Sequence, residues 1–199
     1  MDTKKSRIII GLYSPAPQSG KSTFAAYLHR AYNFHRDSLA APLKKMLHTL
    51  FRRACYPENS NNVPSLSGII ELSKRKSLRI FRGKTYRELC QSLGDWGRNE
   101  VATDLWVDTL LERIFEYDAI VIDDVRFPNE AKAIRDRGGF LIKIVRDSAT
   151  CPNDHPSEGC LENEKFDAVL TNNGSVEEFL HQGVEALKNL NIPMHYNAH

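Results

Sequence analysis

Ile8-Ile9-Ile10-Gly11-Leu12-Tyr13-Ser14-Pro15-Ala16-Pro17-Gln18-Ser19-Gly20-Lys21-Ser22-Thr23 is the stretch that decides the fold. Three successive isoleucines predict a strand buried on both faces, as in a sheet of parallel strands. A tight loop follows, and Gly20-Lys21-Ser22-Thr23 then opens a helix. Strand, loop, Gly-Lys-Ser-Thr and helix in that order form the arrangement that cradles nucleotide phosphates. Backbone N–H groups at a helix N-terminus, with about half a positive charge from aligned peptide dipoles, surround the anion. On this reading Pro17, Gln18, Ser19, Gly20, Lys21, Ser22 and Thr23 line the phosphates of ATP. Lys21 bridges the outer ones as a point charge, and Ser22 places its hydroxyl on Mg²⁺. One position departs from the pattern. Glycine is expected five residues before Gly20, and Pro15 stands there, with Pro17 two residues on. Proline fixes φ at about −65° and has no N–H, so the first turn of this loop must differ from the usual one.

Outward from this stretch, 199 residues are most simply one domain with room for a proper core. Apolar residues at 41% and charged ones at 26% are those of a soluble globular protein. A net charge of +2 implies no global pull towards nucleic acid or membrane. No apolar run approaches the length of a membrane span and no leader pattern precedes Arg7, so the sequence reads as cytoplasmic. Cys55, Cys90, Cys151 and Cys160 include no C-x-x-C pair and read as thiols.

Strand one is predicted over 7–14 and the first helix over 22–32, with Phe24, Tyr27, Leu28 and Ala31 as its apolar stripe. A short strand over 33–38 follows. The next helix starts near Leu39 with Pro42 in its first turn, and Leu43, Met46, Leu47 and Leu50 continue it on one apolar face. Residues 56–68 are rich in proline, asparagine and serine and read as a loop. Residues 74–87 carry seven basic side chains and no acid. They read as a solvated face, a clamp for phosphates or a patch for nucleic acid. Thin aromatic interleaving makes nucleic acid the weakest of the three.

Thr85 and Glu88 have the spacing of a capping box. Tyr86, Leu89, Cys90 and Leu93 form that helix's stripe, and Gly94 is expected to end it. Asp104 starts another helix, with Val107, Leu110, Leu111 and Ile114 buried and Trp106 off that row. Ala119-Ile120-Val121-Ile122 is a second apolar strand, ending in Asp123-Asp124. Pro128 opens a helix that Gly138-Gly139 closes. Strands over 140–145 and 166–170 flank a polar loop over 148–165. Ser175 and Glu178 make a second capping box ahead of a final helix on Leu180, Val184 and Leu187.

Apolar strands alternating with amphipathic helices predict an α/β fold, a parallel sheet with helices on both faces. Ligands in such sheets bind beyond the carboxyl ends of the strands. That edge collects the loop at 15–22, residues 37–41, 123–126, Arg146 and 172–174. The parts suit phosphoryl transfer, which needs positive charge around the moving group, Mg²⁺ and an aligned acceptor. Asp123 and Asp124 are placed to hold Mg²⁺ through water. Arg126 is placed to clamp an acceptor phosphate bidentately, and Arg146 to reach charge that develops in transfer. The plainer alternatives are a helix-capping turn for the acid pair and an Arg146–Asp147 ion pair.

Several runs then point to one family. Val121-Ile-Asp-Asp-Val-Arg-Phe-Pro-Asn-Glu-Ala131, Leu170-Thr-Asn-Asn-Gly-Ser-Val-Glu-Glu178, Ser38-Leu-Ala-Ala-Pro-Leu-Lys44, and Arg87-Glu-Leu-Cys-Gln-Ser-Leu-Gly94 with Trp106-Val resemble the phage deoxynucleoside monophosphate kinases. The resemblance runs over almost the whole chain in the family's order and is weakest over 52–80. It implies a P-loop nucleoside-monophosphate-kinase fold with five parallel strands, and transfer of the ATP γ-phosphate to a dNMP. The catalytic candidates for that transfer are the residues already argued from their placement, Lys21, Arg126, Asp123 and Arg146. The acceptor site falls on 39–106, with Lys44, Arg87, Gln91 and Trp106 as candidates. A lid falls on 148–165, and Asn172, Asn173 and Gly174 would lie against the adenine; within the lid, His155 and Glu158 read as touching nucleotide or as simply capping it. Relatives make a homodimer conceivable.

Cys151, His155 and Cys160 offer soft ligands, but their spacing is not one of the usual zinc patterns. Two other readings remain: a kinase for another small acceptor such as dephospho-coenzyme A, and a nucleotide-gated nucleic-acid-binding protein using 74–87.

Overall fold

A computed structural model describes residues 7–55, 68, 82–149 and 160–194. These residues divide into two compact units, one within Met1–Leu39 and Leu110–His199, the other within Ala40–Thr109. The second unit covers nearly the segment 39–106 to which the resemblance assigns the acceptor. Residues 74–81, Cys151, His155 and Glu158 lie outside the described residues.

The first unit is built on a sheet of five parallel strands: β1 (Ile8–Tyr13), β2 (His35–Asp37), β3 (Ala119–Ile122), β4 (Phe140–Val145) and β5 (Ala168–Thr171). Their spatial order is β2-β3-β1-β4-β5. Ile10 pairs with Val121 on one side and with Phe140 on the other, which puts β1 at the centre. From β1 the chain crosses to the edge strand β2, returns to β3 beside β1, and then passes to β4 and β5 on the other side. The order therefore reverses at β1, and its carboxyl end is the switch point where such sheets take ligands.

Both faces are covered, as the apolar runs predict. Ile10, Leu12, Val121, Ile142 and Ile144 point to one face and pack with Phe24, Ala25 and Leu28 of α1 (Lys21–Tyr32) and with Phe179 and Leu187 of α6 (Val176–Asn189). Phe24 and Phe179 meet as tilted rings 5.9 Å apart. Gly183 of α6 is needed there, because a Cβ would run into the Phe24 ring. On the other face, Gly11 lets Ile134, Leu141 and Val125 close over β1, Ile134 coming from α5 (Pro128–Arg135). The last strand sits one to two residues later than its apolar run suggested, because pairing with β4 fixes its register as Ile142 against Ala168 through Val145 against Thr171.

At the edge strand β2, His35 stacks flat on Tyr117 with ring centroids 3.4 Å apart. Burial lowers the His35 pKa below its ordinary 6.5; Asp37 opposes the shift, and His29 and Arg113 reinforce it. The fold therefore favours the neutral ring. The stability it contributes is complete above about pH 6.5 and is lost as pH falls and the unfolded chain takes up the proton first. Wild-type stability in urea should drop between pH 7.5 and 5.5 by more than that of His35→Phe. Equal pH dependence in the two proteins would refute this role.

The second unit contains α2 (Ala41–Cys55), α3 (Tyr86–Trp96) and the π-helical turn Gly97–Val101. Two expectations need correction here. The buried row of α2 is Leu43, Leu47 and Phe51, each no more than 7% exposed, while Met46 and Leu50 are 45% and 52% exposed. Spacings of four, four rather than three, four select the inward stripe, and Phe51 supplies its bulk. Gly94 does not end α3. The helix runs to Trp96 and passes into the π turn, and Gly94 is buried within it. The cause is Trp106, on α4 (Leu105–Arg113), whose indole Nε1–H donates to the Gly94 carbonyl at 3.0 Å. Its ring lies where a Cβ on Gly97 would be. Gly97 thus permits close approach of the indole, and Gly94 supplies the carbonyl that takes its N–H. The Thr85–Glu88 and Ser175–Glu178 capping boxes form as predicted.

Candidate nucleotide site at the carboxyl edge of the sheet

The chain leaves β1 through a turn in which Ser14 bridges forward to Ala16, its hydroxyl donating to the Ala16 carbonyl at 3.0 Å. The Ala16 N–H donates back to the same hydroxyl. Pro15 and Pro17 have no N–H to give. The first half of the loop therefore offers an anion nothing, and donors can come only from Gln18 onward. This is the altered first turn that Pro15 demands. The second half bends sharply, with Gln18 at φ 58° and Gly20 at φ 110°. Gly20 occupies the N-cap of α1. A Cβ there would adopt a disfavoured φ and sit 2.5 Å from the Asn172 amide nitrogen. The first amides of α1 have no intrahelical acceptor, since the Phe24 N–H is the one that returns to the Gly20 carbonyl.

Lys21 reaches back over the loop, with Nζ 3.4 Å from both the Ala16 carbonyl and the Ser19 hydroxyl. Ser19 is 1% exposed, whereas Ser22 and Thr23 are open to solvent. Arg146, just past β4, places Nη1 3.4 Å from the Gln18 carbonyl. It does not pair with Asp147 in the manner of the plainer alternative. Asp147 is held by Asn173, whose amide donates to its carboxylate at 2.7 Å. Asn172, just past β5, donates to the Ser19 carbonyl at 2.8 Å. Lys21, Arg146 and the 172–174 turn thus meet around one loop.

The ends of β2 and β3 carry a second set of charges. Arg36 donates to Asp123, through Nε at 2.8 Å and also through Nη2. Arg113 holds both oxygens of Asp37, at 3.0 and 3.1 Å, and the Ser38 carbonyl at 2.8 Å. Asp124 accepts the Leu39 N–H at 2.8 Å. Both members of the predicted acid pair are therefore engaged by protein groups. Arg126 follows, and its own N–H donates to Glu130 at 2.7 Å. Glu130 is 5% exposed and also takes the Phe127 N–H at 3.1 Å.

In the second unit, Lys44 lies on α2, and Arg87 and Gln91 lie one turn apart on one face of α3. Gln91 Nε2 is buried with no partner among the described residues. Trp106, 5% exposed, is occupied in packing. Among the described residues no group of acids, histidines and cysteines is arranged to hold a metal, and no helix is long and apolar enough to cross a membrane. Cys90 and Cys160 are in no disulfide.

Sequence reasoning passed over Arg36, Arg113 and Glu130. Glu130 had a readable signal, since Pro at the first helical position with Glu two residues on is an N-terminal signature. The partners of Arg36 and Arg113 are 87 and 76 residues away, and no local pattern announces them.

Comparison with known proteins follows the same line. The family profile of deoxynucleotide monophosphate kinase matches residues 70–182. A putative deoxynucleotide monophosphate kinase of Acanthamoeba polyphaga mimivirus is 32% identical over 189 residues, covering 92% of this chain and 97% of that protein. The deoxynucleotide monophosphate kinase of Escherichia phage RB69 is 31% identical over 102 residues, covering 46% of this chain and 40% of that protein. Among solved structures, a sugar kinase from Janibacter sp. has a TM-score of 0.42 at 10% identity, covering 96% of this chain and 99% of that one. The parallel strand order defines the fold without that distant likeness. With its match to both the profile and a full-length relative, the chain belongs to the deoxynucleotide monophosphate kinase family.

Proposed function

We propose that the chain is an ATP:dNMP phosphotransferase, moving the γ-phosphoryl group of ATP to a deoxynucleoside monophosphate to give dNDP and ADP. The observation that carries this reading is the loop at the switch point of the parallel sheet. Its N-cap is a left-handed Gly20, and Lys21 is folded over it, in a chain of this family.

The donor roles follow from placement. The amides of 18–23 and the N-terminus of α1 take the phosphates of ATP. Lys21, poised over weak 3.4 Å contacts, exchanges them for phosphate oxygens. Arg146 leaves the Gln18 carbonyl for charge that develops between donor and acceptor. A bound Mg²⁺ would supply positive charge to offset that of the donor phosphates. Ser22, exposed at the helix start, fits a direct ligand, and the engaged carboxylates of Asp123 and Asp124 fit contact through water.

The acceptor roles are assigned by resemblance to Lys44, Arg87, Gln91 and Arg126, with His155 and Glu158 in the lid segment. The buried, unpartnered amide nitrogen of Gln91 supports its share in reading a base. Trp106 contributes by fixing α3, which carries Arg87 and Gln91, rather than by touching substrate.

Purified protein with Mg·ATP and each of dAMP, dCMP, dGMP and dTMP is expected to release ADP with at least one, and none with dephospho-coenzyme A. Absence of turnover with every dNMP would overturn the proposal. Preference for dephospho-coenzyme A would reassign the acceptor.

A further inference from the structure

Three carbonyls of the phosphate loop are held by side chains. Ala16 O accepts from Ser14 and Lys21, Gln18 O from Arg146, and Ser19 O from Asn172. In a planar trans peptide the C=O and the following N–H point in opposite directions. Drawing the Ser19 carbonyl towards Asn172 therefore turns the Gly20 N–H the other way, and drawing the Gln18 carbonyl towards Arg146 does the same for the Ser19 N–H. The Ala16 carbonyl belongs to the peptide that ends in Pro17 and frees no donor. Of the other two peptide planes, only the one held by the shorter, 2.8 Å bond from Asn172 stays restrained once Arg146 turns from the Gln18 carbonyl to the phosphates. Asn172 is itself fixed, since its backbone N–H donates to the Val145 carbonyl at 2.8 Å. Its side chain projects from β5 across to the loop that follows β1.

We infer that Asn172 is a positioning residue for the donor phosphates: it holds the Ser19 carbonyl and so aims the Gly20 N–H into the cradle, the task that proline at 15 and 17 leaves to the second half of the loop. The turn at 172–174 then acts on ATP through the loop rather than by contact with the adenine. This rests on the loop being the ATP phosphate site.

The test separates phosphate from base. Inorganic tripolyphosphate fills a phosphate cradle and has no adenine. Its dissociation constant, and that of Mg·ATP, are measured by calorimetry for wild type, Asn172→Ala and Asn172→Asp. Gln182→Ala serves as control. Gln182 accepts the Thr171 N–H at 2.9 Å, so its loss loosens the same strand end without touching the loop. Both Asn172 variants are expected to weaken tripolyphosphate and ATP by the same factor, about fivefold to tenfold for one lost hydrogen bond. Asn172→Asp is expected to be the weaker binder of the two, since it adds a negative charge beside the phosphates. Gln182→Ala is expected to bind tripolyphosphate like wild type. Weaker ATP binding with unchanged tripolyphosphate binding would mean that Asn172 meets the base, and would overturn the inference. So would an equal loss in Gln182→Ala. Wild-type tripolyphosphate binding that ATP does not displace would instead overturn the assignment of the loop, and the inference with it.

Discussion

Lys21→Ala is expected to lower kcat for dNMP phosphorylation by about a hundredfold to a thousandfold, the usual cost of removing one preorganised donor from developing charge. Phosphoryl transfer leaves the protein little covalent work, so a lysine that follows the γ-phosphoryl group carries a large share of the catalysis. The hydrogen bonds from Lys21 to its own loop are too long to be what holds that loop in shape. Nζ stands 3.4 Å from the Ala16 carbonyl and from the Ser19 hydroxyl, at the long limit for hydrogen bonds. The Ser14 hydroxyl, at 3.0 Å, still holds the same Ala16 carbonyl when the ammonium is gone. The melting temperature of Lys21→Ala should therefore stay within a few degrees of wild type. Steady-state ADP release and a thermal melt check both halves. A kcat near that of wild type would remove Lys21 from the reaction, and a collapse of the fold would make it a structural lysine.

How far the loop could be read from the sequence depends on the range of the interactions that shape it. Gly20 at the N-cap, Pro15 breaking the first turn and Lys21 at the helix start are local features, visible in sixteen consecutive residues. The apolar runs at Ile8, Ala119 and Phe140 likewise announced strands, and the two capping boxes formed where their spacing put them. Strand order was not legible, because nothing within β1 states that β3 lies on one side of it and β4 on the other. Gly94 misled for a related reason. A glycine reads as a helix end when only its own conformation is considered, but this helix runs on past it, and the Gly94 carbonyl takes an indole N–H from a residue twelve positions on. Met46 and Leu50 show the same limit, since two rows of α2 are apolar and only the packing partner selects one.

The charges at the sheet edge divide the same way. Asp123 was legible as an acid after a buried strand, while its pairing with Arg36 was not. That pairing changes its chemistry. A carboxylate held by a guanidinium is a weaker direct ligand for a cation and a better anchor for an ordered water. Arg113, with both Asp37 oxygens and the Ser38 carbonyl, ties the end of β2 to the residues that lead into α2. Arg135 does comparable work at the opposite, amino edge of the sheet, binding Asp167 at 2.8 Å ahead of β5. An arginine fork suits such places because it satisfies several oxygens in one plane.

Glu130→Ala is expected to be the most destabilising substitution near the site, at about 3 kcal/mol. The Glu130 carboxylate is 5% exposed and takes two backbone N–H groups, from Arg126 at 2.7 Å and from Phe127 at 3.1 Å. Hydrogen bonds to a charged group contribute about 1.5–3 kcal/mol, and buried donors left behind carry their full desolvation cost. For a chain of this size that corresponds to roughly 6–12 °C in melting temperature. Glu130→Gln keeps an acceptor oxygen in place and loses only the charge, so its drop should be less than half as large. The consequence for function follows from which amide is pinned. The Arg126 N–H is fixed by Glu130, and this sets where the Arg126 side chain starts. Below the melting temperature of both variants, Glu130→Ala should raise KM for the dNMP more than KM for ATP, with Glu130→Gln close to wild type in both. An Ala variant as stable as wild type would show that the two amides find water instead. Equal rises in both KM values would show that the loop after β3 is not an acceptor element.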